Sequence, residues 1–231
     1  MDVFQIIDLD RTLFNTKLFA RAITDEINLL QPGLGTQLDE RFESAYQKGE
    51  NFFLFRLLRQ EKGDAWFMDI VQRAVATVGR DALAMPGFNE RIKGTAMLTS
   101  RRPAWGVMTY GDDIDQRLKL DLIGLTDAPM LISPTASKAA LIQSWQNADG
   151  SFTLPSEFGG DTVSRITLED DKLRAFQDMP DGMIGVWITA NTPDSIQRLN
   201  EAVATGHTPT GIAIASGLQE SLASLSRQLG A

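Results

Sequence analysis

Short apolar runs that alternate with helical patterns are the feature that most limits the fold of this chain. The apolar runs have the length of buried strands and cover residues 3–7, 105–108, 130–132, 165–168, 183–188 and 211–215. Apolar residues recur at helical spacing between the later runs, over residues 113–122, 135–145, 195–204 and 218–229. Strands that alternate with helices predict βαβ units. We therefore expect an α/β fold with a Rossmann-like, open, mostly parallel sheet and helices on both faces.

The segment from residue 17 to residue 83 interrupts this alternation. It contains no convincing strand and carries long amphipathic patterns, which the turn residues at 31–33 and 62–64 divide into several helices. We predict an α/β core domain formed by residues 1–16 and 84–231, with 17–83 inserted after the first strand as a helical cap domain. The alternative is that these helices pack on one face of the sheet.

The composition excludes several classes of function. The chain has 231 residues, a formal net charge of −8 and no cysteine. No cluster of lysine and arginine opposes the acidic balance, so we expect neither nucleic acid nor a membrane as a partner. The lack of cysteine excludes disulfides, thiolate metal sites and a cysteine nucleophile. No apolar run has transmembrane length and no signal-peptide pattern is present, so we expect a cytoplasmic protein. Separately, we expect a monomer or a homodimer.

Two carboxylates follow the first predicted strand directly. Residues 8 and 10 of an extended segment point to the same side, so Asp8 and Asp10 converge beyond the strand. Loops at the carboxyl ends of parallel strands line the ligand crevice of such sheets. One acid there could attack an electrophile while the other moves a proton, and a hard divalent cation would hold the pair together. The alternative is an acidic turn in which Asp10 caps a helix.

The first motif carries a resemblance to a known family. Residues 6–13, Ile-Ile-Asp-Leu-Asp-Arg-Thr-Leu, resemble the first motif of the haloacid dehalogenase-like superfamily, which is an apolar strand followed by Asp-x-Asp-Gly-Thr-Leu. Arg11 stands where that family usually has glycine. The position has to let the chain turn away from the site, and an arginine there could narrow the entrance or add a positive group near the substrate.

Three further segments resemble the family's other motifs in the right order. Residues 106–111 resemble the second motif, a strand that ends in threonine or serine; Lys138 matches the third; and residues 166–171 resemble the fourth, a strand that ends in paired acids. Each segment has a structural alternative: Thr109 could simply end a strand, Lys138 could be exposed, and the paired acids could cap a helix.

The resemblance implies a role for each of these residues. Asp8 would attack phosphorus, and Asp10 would protonate the leaving oxygen and later take a proton from water. Thr109 would donate a hydrogen bond to a phosphoryl oxygen, and Lys138 would neutralise charge on the phosphoryl group and beside Asp8.

A magnesium ion is also implied, and the resemblance names its ligands. They would be Asp8, the backbone carbonyl of Asp10, Asp170 as first choice in the fourth motif, and Asp171 either through water or by orienting Lys138. Thr12 would steady the loop that carries Asp10. We also expect Arg11, Tyr110 and Gly111 to support the site.

The function that the resemblance implies is hydrolysis of a small phosphomonoester, such as a nucleotide or sugar phosphate, through an aspartyl-phosphate intermediate. Dehalogenases of this kind usually lack the second aspartate, so Asp10 favours phosphoryl transfer. Two alternatives remain, which are a phosphomutase and a catalytically silent binding or regulatory protein. Because the chain is acidic, a phosphorylated metabolite would be repelled at long range, and the attraction must come from a local patch or a metal.

Overall fold

A six-stranded parallel sheet forms the centre of the structure. The computed structural model describes residues 2–47, 53–99, 103–189, 193–206 and 211–230. The strands of this sheet are β1 Val3–Ile7, β2 Trp105–Thr109, β3 Met130–Ile132, β6 Arg165–Asp170, β7 Met183–Ile188 and β8 Ala213–Ala215. They lie in the order β3-β2-β1-β6-β7-β8, and every neighbouring pair is parallel. A separate antiparallel pair consists of β4 Phe152–Thr153 and β5 Thr162–Val163.

Helices occupy most of the remaining described chain. The helices are α1 Thr16–Leu30, α2 Leu34–Gln47, α3 Leu54–Lys62, α4 Asp64–Val78, α5 Phe88–Leu98, α6 Asp113–Leu122, α7 Lys138–Gln143, α8 Pro193–Ala204 and α9 Leu218–Leu229. Short 3₁₀ helices cover Arg80–Leu83, Ser156–Phe158 and Leu173–Phe176. No helix within the described residues is both long and apolar enough to cross a membrane.

The sheet register brings the ends of three strands to one edge. β1 lies between β2 and β6, and Ile7 is level with Val107 on one side and with Glu169 on the other. The strands are parallel, so their carboxyl ends point the same way. Asp8, which follows Ile7, and Asp170, which follows Glu169, therefore lie at the same edge of the sheet.

Apolar residues cover both faces of the sheet. Successive side chains of a strand point to opposite faces, so each strand contributes to both. On β1, Phe4 and Ile6 belong to one buried cluster and Val3 to the other. The larger cluster includes residues of α7, β4, β5 and the 3₁₀ helix Leu173–Phe176, and the smaller one includes residues of α5 and α9. A sheet that is buried on both sides explains why its strands are continuous apolar runs.

The chain divides into two compact units. The first contains Met1–Leu13, Met85–Tyr110 and Asp127–Ala231, and the second contains Phe14–Ala84 and Gly111–Thr126. The first unit holds the sheet, and the second holds α1 to α4 together with α6. The division near residues 14 and 84 is close to the expected boundaries at 17 and 83, whereas α6 was expected with the α/β core. A role of the second unit as a cap stays a prediction.

Aromatic packing and an ion-pair cluster hold the second unit together. Its described core includes a continuous series of aromatic contacts that joins Phe14 to Phe19, Phe55 and Phe67, with ring centroids 5.2 to 5.7 Å apart. Arg59 of α3 lies 2.7 Å from both Asp112 and Asp115, which are the N-cap and a first-turn residue of α6. This ion-pair cluster explains why α6 groups with the helices that precede residue 84.

The six apolar runs predicted as strands are all strands in the structure, with ends that differ by at most two residues. Helices 113–122 and 218–229 are confirmed, and the helix predicted over 135–145 is shorter, Lys138–Gln143. The two-residue strands β4 and β5 and helix α5 were not predicted. Helix α5 lacks a clear apolar stripe because one of its buried residues is Arg91.

Arg91 is the centre of a buried polar network between α5, β1, β6 and α9. Its guanidinium donates to both carboxylate oxygens of Glu169 and, at 3.0 Å, to Gln5 Oε1. Ser221 Oγ donates to Glu169 Oε2 at 2.5 Å, and Gln5 Nε2 donates to the carbonyl of Thr95 at 2.9 Å. Arg91 and Glu169 are both fully buried, so each depends on the other for a counter-charge.

The substitution Arg91→Met tests this dependence. It removes the guanidinium and leaves the buried Glu169 carboxylate without its counter-charge, so we expect the free energy of unfolding to fall by about 3–5 kcal/mol. Urea denaturation of the purified protein measures the loss. Lys93→Met changes an exposed residue of the same helix and should stay within about 0.5 kcal/mol. A loss below about 1 kcal/mol for Arg91→Met would contradict the assignment.

Candidate active site

The chain leaves β1 through a turn that Asp8 begins. The Asp8 N–H donates to the carbonyl of Glu169 at 2.9 Å and extends the pairing of β1 with β6 by one residue. The Leu13 N–H then donates to the carbonyl of Leu9 at 3.0 Å and closes the turn. Both leucines are fully buried. They anchor the turn in the interior, while Asp8 and Asp10 face a cavity at the edge of the sheet.

Arg11 adopts a backbone conformation that favours glycine. Its φ is +63°, in the left-handed region, where a side chain costs about 1 kcal/mol or more. The family resembled by this motif usually has glycine at this position, and the observed φ supplies the physical reason. The Arg11 guanidinium lies 2.5 Å from Asp171 Oδ2, so the arginine adds a partly buried ion pair that glycine cannot make.

Lys138 joins two of the carboxylates. It is the first residue of α7 and only 3% exposed. Its ammonium donates to Asp8 Oδ1, and to Asp170 Oδ2 at 2.6 Å. Burial alone would lower the pKa of Lys138, but the carboxylates of Asp170 and Asp8 raise it above its ordinary value. Lys138 therefore remains charged throughout the physiological range, and its structural alternative as an exposed helix residue is wrong.

The paired acids of the fourth motif have different surroundings. Asp170 is the last residue of β6, and besides Lys138 it accepts the backbone N–H of Lys172 at 2.7 Å. Asp171 follows the strand and contacts Arg11 through Oδ2. Its other oxygen, Oδ1, is buried without a hydrogen-bond partner among the described residues. The Trp187 indole donates to the carbonyl of Asp171 at 2.9 Å and fixes the backbone there.

Burial raises the pKa of two of these carboxyl groups. The pKa of Asp8 rises to about 6, although the Lys138 ammonium lowers it, because desolvation and the nearby charges of Asp170 and Asp10 act in the opposite direction. The pKa of Asp171 rises to about 8, with Arg11 again lowering it and Asp170 raising it. Carboxylates this close together ionise fully only when more positive charge is added.

The second-motif residues divide between the two compact units. Thr109 ends β2 and is buried, and its hydroxyl has no hydrogen-bond partner within the described residues. Thr109 and Tyr110 line the same cavity as Asp8. Gly111 lies in the second unit, where a Cβ would come 2.3 Å from the amide nitrogen of Gln116. Thr12 supports the Asp10 loop through its backbone, whose N–H donates to the carbonyl of Leu9 at 3.3 Å.

One cavity at the edge of the sheet collects most of the predicted site residues. It is lined by Asp8, Asp10, Thr109, Tyr110, Ala136, Lys138, Asp170, Lys172 and Arg174. The first motif, the second motif, the third-motif lysine and the fourth motif thus contribute to a single site in the first unit. The sequence analysis did not identify Ala136, Lys172 or Arg174. The available indication was a lysine directly after a pair of acids and an arginine two residues further on.

The carboxylates fit a hard divalent cation. Asp8, Asp170 and Asp171 each offer one oxygen, and these three oxygens lie within 4.8 Å of one another. Magnesium prefers oxygen ligands of this kind and tolerates several waters among them. The unsatisfied Oδ1 of Asp171 and the raised pKa values of Asp8 and Asp171 indicate a cluster that lacks positive charge. A magnesium ion would supply that charge.

Comparison with known proteins relates the fold to solved structures. No protein-family model matches the chain, and no curated protein matches its sequence. A proposed haloacid dehalogenase-like hydrolase from Burkholderia xenovorans matches with a TM-score of 0.60 and 16% identity, over 96% of this chain and 97% of that one. The L-2-haloacid dehalogenase from Xanthobacter autotrophicus matches with a TM-score of 0.56 and 13% identity, over 99% of both chains.

A proposed β-phosphoglucomutase from Thermotoga maritima is similar to the same degree. Its TM-score is 0.55 and its identity 13%, over 98% of this chain and 99% of that one. These likenesses cover both units and show that the chain has the fold of the haloacid dehalogenase-like hydrolases. The neighbours include a dehalogenase and a proposed mutase, so the reaction has to be argued from the residues of the site.

Substitution of Arg11 by glycine and by alanine separates the strain at this position from its ion pair. Both variants lose the contact with Asp171, but only alanine keeps a side chain at a φ of +63°. We expect Arg11→Gly to be more stable than Arg11→Ala by about 1 kcal/mol in urea denaturation. Equal stabilities would show that the left-handed conformation relaxes in solution.

Proposed function

We propose that this chain, which has the haloacid dehalogenase-like fold, is a magnesium-dependent phosphohydrolase that cleaves a small phosphomonoester through an aspartyl phosphate on Asp8. The observation that carries the proposal is the buried Lys138 ammonium, which contacts the Asp8 and Asp170 carboxylates at the edge of a cavity that Asp10 and Thr109 also line. A nucleophile, an acid–base group, a hydroxyl donor and a fixed cation therefore surround one small space.

The first chemical step follows from this arrangement. Asp8 is held by Lys138, whose charge favours the ionised and therefore nucleophilic carboxylate. An oxygen of Asp8 forms a bond to phosphorus while the bond between phosphorus and the ester oxygen breaks. Asp10 gives its proton to that departing oxygen and becomes a carboxylate. Thr109 donates from its hydroxyl, which has no partner among the described residues, to a phosphoryl oxygen.

The second step restores the enzyme. The Asp10 carboxylate takes a proton from a water molecule, whose oxygen attacks phosphorus as the bond to Asp8 breaks. Inorganic phosphate leaves, Asp8 is a free carboxylate again and Asp10 carries its proton for the next cycle. The Lys138 ammonium stays charged throughout and balances the phosphoryl oxygens in both steps.

Asp8, Asp170 and Asp171 are the side chains that would hold the magnesium ion, with the backbone carbonyl of Asp10 as a further ligand. When bound, the ion supplies positive charge against the phosphoryl oxygens and against the carboxylates themselves. Arg11 contacts Oδ2 of Asp171 and leaves Oδ1 without a hydrogen-bond partner among the described residues, whereas both oxygens of Asp170 already accept hydrogen bonds from Lys138 and Lys172. We therefore propose all three carboxylates as ligands of the ion.

Asp10 favours phosphoryl transfer over dehalogenation. A halide leaves as a stable anion and needs no proton, whereas the alkoxide of a phosphate ester needs one. Asp10 lines the same cavity as Asp8, so it is available to provide that proton. The chemistry of the leaving group thus distinguishes this site from the reaction of the dehalogenase that shares its fold.

Asp8→Asn tests the nucleophile. It replaces the attacking carboxylate by an amide of the same shape, so we expect turnover of p-nitrophenyl phosphate with Mg²⁺ to fall by about a thousandfold or more. Release of inorganic phosphate measures the rate, and removal of metal with EDTA should abolish it in the wild type. Asp127→Asn changes an exposed aspartate and should keep the wild-type rate. An unchanged rate in Asp8→Asn would refute the assignment.

Asp10→Asn tests the proton transfer separately. The variant cannot protonate a leaving group, so we expect kcat/KM for an alkyl phosphate such as glycerol 1-phosphate to fall about 10²- to 10⁴-fold. The fall in kcat/KM should be much smaller for p-nitrophenyl phosphate, because p-nitrophenolate leaves without a proton. The comparison uses kcat/KM for both esters, from initial rates of phosphate release at substrate concentrations well below KM, because this quantity reports the first step. Equal losses with the two esters would show that Asp10 does not act as the acid.

A further inference from the structure

Lys172 and Arg174 are cavity residues that the proposed reaction does not use. They follow the fourth motif in the chain, and both line the cavity that holds Asp8, Asp10 and Lys138. The proposed chemistry assigns the phosphoryl group to Lys138, Thr109 and the magnesium ion. Two further cations at this cavity therefore need a separate explanation.

The local fold directs these two side chains to the cavity. Residues Leu173–Phe176 form a 3₁₀ helix in which Ala175 and Phe176 are buried in the larger core cluster and Leu173 packs against it. Because the apolar residues of this short segment face the core, Arg174, which lies among them, and Lys172, which precedes them, face the cavity. The pattern of polar and apolar residues thus fixes which side chains meet the cavity.

Hydrogen bonds hold the segment in place at both ends. The Lys172 N–H donates to Asp170 Oδ1 at 2.7 Å, and the carbonyl of Lys172 accepts the N–H of Ala175 at 3.0 Å. Ser137 Oγ donates to the carbonyl of Gln177 at 3.0 Å, which joins the end of the segment to the residue before α7. Because these hydrogen bonds already order the backbone of the segment, less conformational entropy is lost when its basic side chains bind an anion.

A bound substrate would bring more negative charge to the site than its other cations offset. Asp10 carries a proton at the start of the proposed reaction, so the ionised carboxylates are Asp8, Asp170 and Asp171, with three negative charges. Lys138 and the Arg11 guanidinium balance two of these through direct contacts, and a magnesium ion would exceed the third by one positive charge. A bound phosphate dianion then leaves one negative charge in excess, and a substrate with another anionic group leaves two, which is the charge that Lys172 and Arg174 can offset.

The chain as a whole gives the same indication. Its net charge is −8, so an anionic substrate is repelled at long range and must be attracted by a local group of cations. Lys172 and Arg174 provide that group beside the phosphoryl position. An arginine guanidinium matches the two oxygens of a carboxylate or phosphate, and a lysine ammonium adds a compact charge.

We propose that Lys172 and Arg174 form a subsite for a second anionic group, so that the preferred substrate is a phosphomonoester whose leaving group carries a carboxylate or another phosphate. The inference rests on the proposed phosphohydrolase function and specifies the class of its substrate. Esters with an uncharged leaving group of similar size bind the same phosphoryl position but lack the contact with this subsite.

The competing explanation is that the two cations only balance the acids of the site. Lys172 does lower the pKa of Asp171, although burial, Arg11 and two neighbouring carboxylates have larger effects. Cations with that role alone would affect every substrate equally, because the same acids act on all of them. A subsite would affect only substrates with the second anionic group, so a comparison of two esters separates the explanations.

The test uses two esters of nearly the same size. Phosphoglycolate has a carboxylate on its leaving group, and 2-hydroxyethyl phosphate has an uncharged hydroxyl instead. The quantity measured is the ratio of kcat/KM for phosphoglycolate to kcat/KM for 2-hydroxyethyl phosphate, with Mg²⁺. We expect a ratio of at least about 10 for the wild type and a roughly 10- to 100-fold lower ratio for the double variant Lys172→Gln/Arg174→Gln.

The matched control is Lys93→Gln/Arg227→Gln, which removes one lysine and one arginine from exposed positions of the first unit. It makes the same change in net charge, so its ratio should equal that of the wild type. Circular dichroism and the urea midpoint verify that both double variants are folded. A similar fall in the control would attribute the effect to the net charge of the protein and would overturn the subsite.

Other outcomes are equally decisive. An unchanged ratio in Lys172→Gln/Arg174→Gln, including equal losses with both esters, would overturn the subsite and leave the phosphohydrolase function intact. If the wild type cleaves none of these esters and no p-nitrophenyl phosphate, the proposed function fails instead. Isothermal titration calorimetry with Mg²⁺ then tests the subsite by measuring the affinity for each ester. The subsite requires that the wild type binds phosphoglycolate more tightly than 2-hydroxyethyl phosphate and that the double variant loses this difference. Equal binding of the two esters to the wild type would overturn it.

Discussion

The contact of the Lys138 ammonium with Asp8 and Asp170 is the interaction on which the rest of the site depends. It joins the ends of β1 and β6 to the start of α7 and is almost completely buried. Two carboxylates placed this close in the interior repel one another and favour protonation. A fixed cation between them lowers the pKa of the first-strand aspartate and so opposes the effect of burial, and it holds that side chain at the cavity. The parallel register of β1 and β6 makes the contact possible, because it ends both strands at the same level.

Glu169 and Asp170 are adjacent acids of β6 with different surroundings, because successive side chains of a strand point to opposite faces. Glu169 faces the helices α5 and α9 and forms a buried polar network with Arg91, Gln5 and Ser221. Asp170 faces the cavity and contacts Lys138 there, where a substrate or metal ion would also bind. The first carboxylate contributes to stability through its permanent ion pair. The second belongs to a cluster whose charge is unbalanced until ligands bind, which is typical of a functional site.

Basic side chains at several positions around the cavity offset the negative charge of its carboxylates. Arg11 accepts a left-handed backbone conformation, which is unfavourable for any residue but glycine, and contacts Asp171. Lys172 and Arg174 lie on the 3₁₀ segment that follows Asp171 and line the cavity wall. In a chain with a net charge of −8, these residues place positive charge directly beside the acids of the cavity. Under the proposed function, that positive charge would favour the binding of an anionic ligand that the protein as a whole repels.

Sequence alone determined the α/β fold and the order of the motifs. The six strands of the sheet are continuous apolar runs because they are buried on both faces, and such runs are visible without a structure. Alternation along an extended segment was enough to place Asp8 and Asp10 on one side. The residues matched to the family's motifs at Thr109, Lys138 and Asp170 were also named in advance. The structure brings these residues to one cavity.

Only the tertiary structure decided the features that depend on distant partners. Helix α5 was not predicted because it buries Arg91 and exposes Met97, so its pattern lacks an apolar stripe. The grouping of α6 with the helical unit follows from its ion pairs with Arg59, which a local pattern cannot show. Lys172 and Arg174 become cavity residues because Ala175 and Phe176 are held in the core. Which way a short segment turns is set by what its apolar residues pack against, and that is decided by the folded chain.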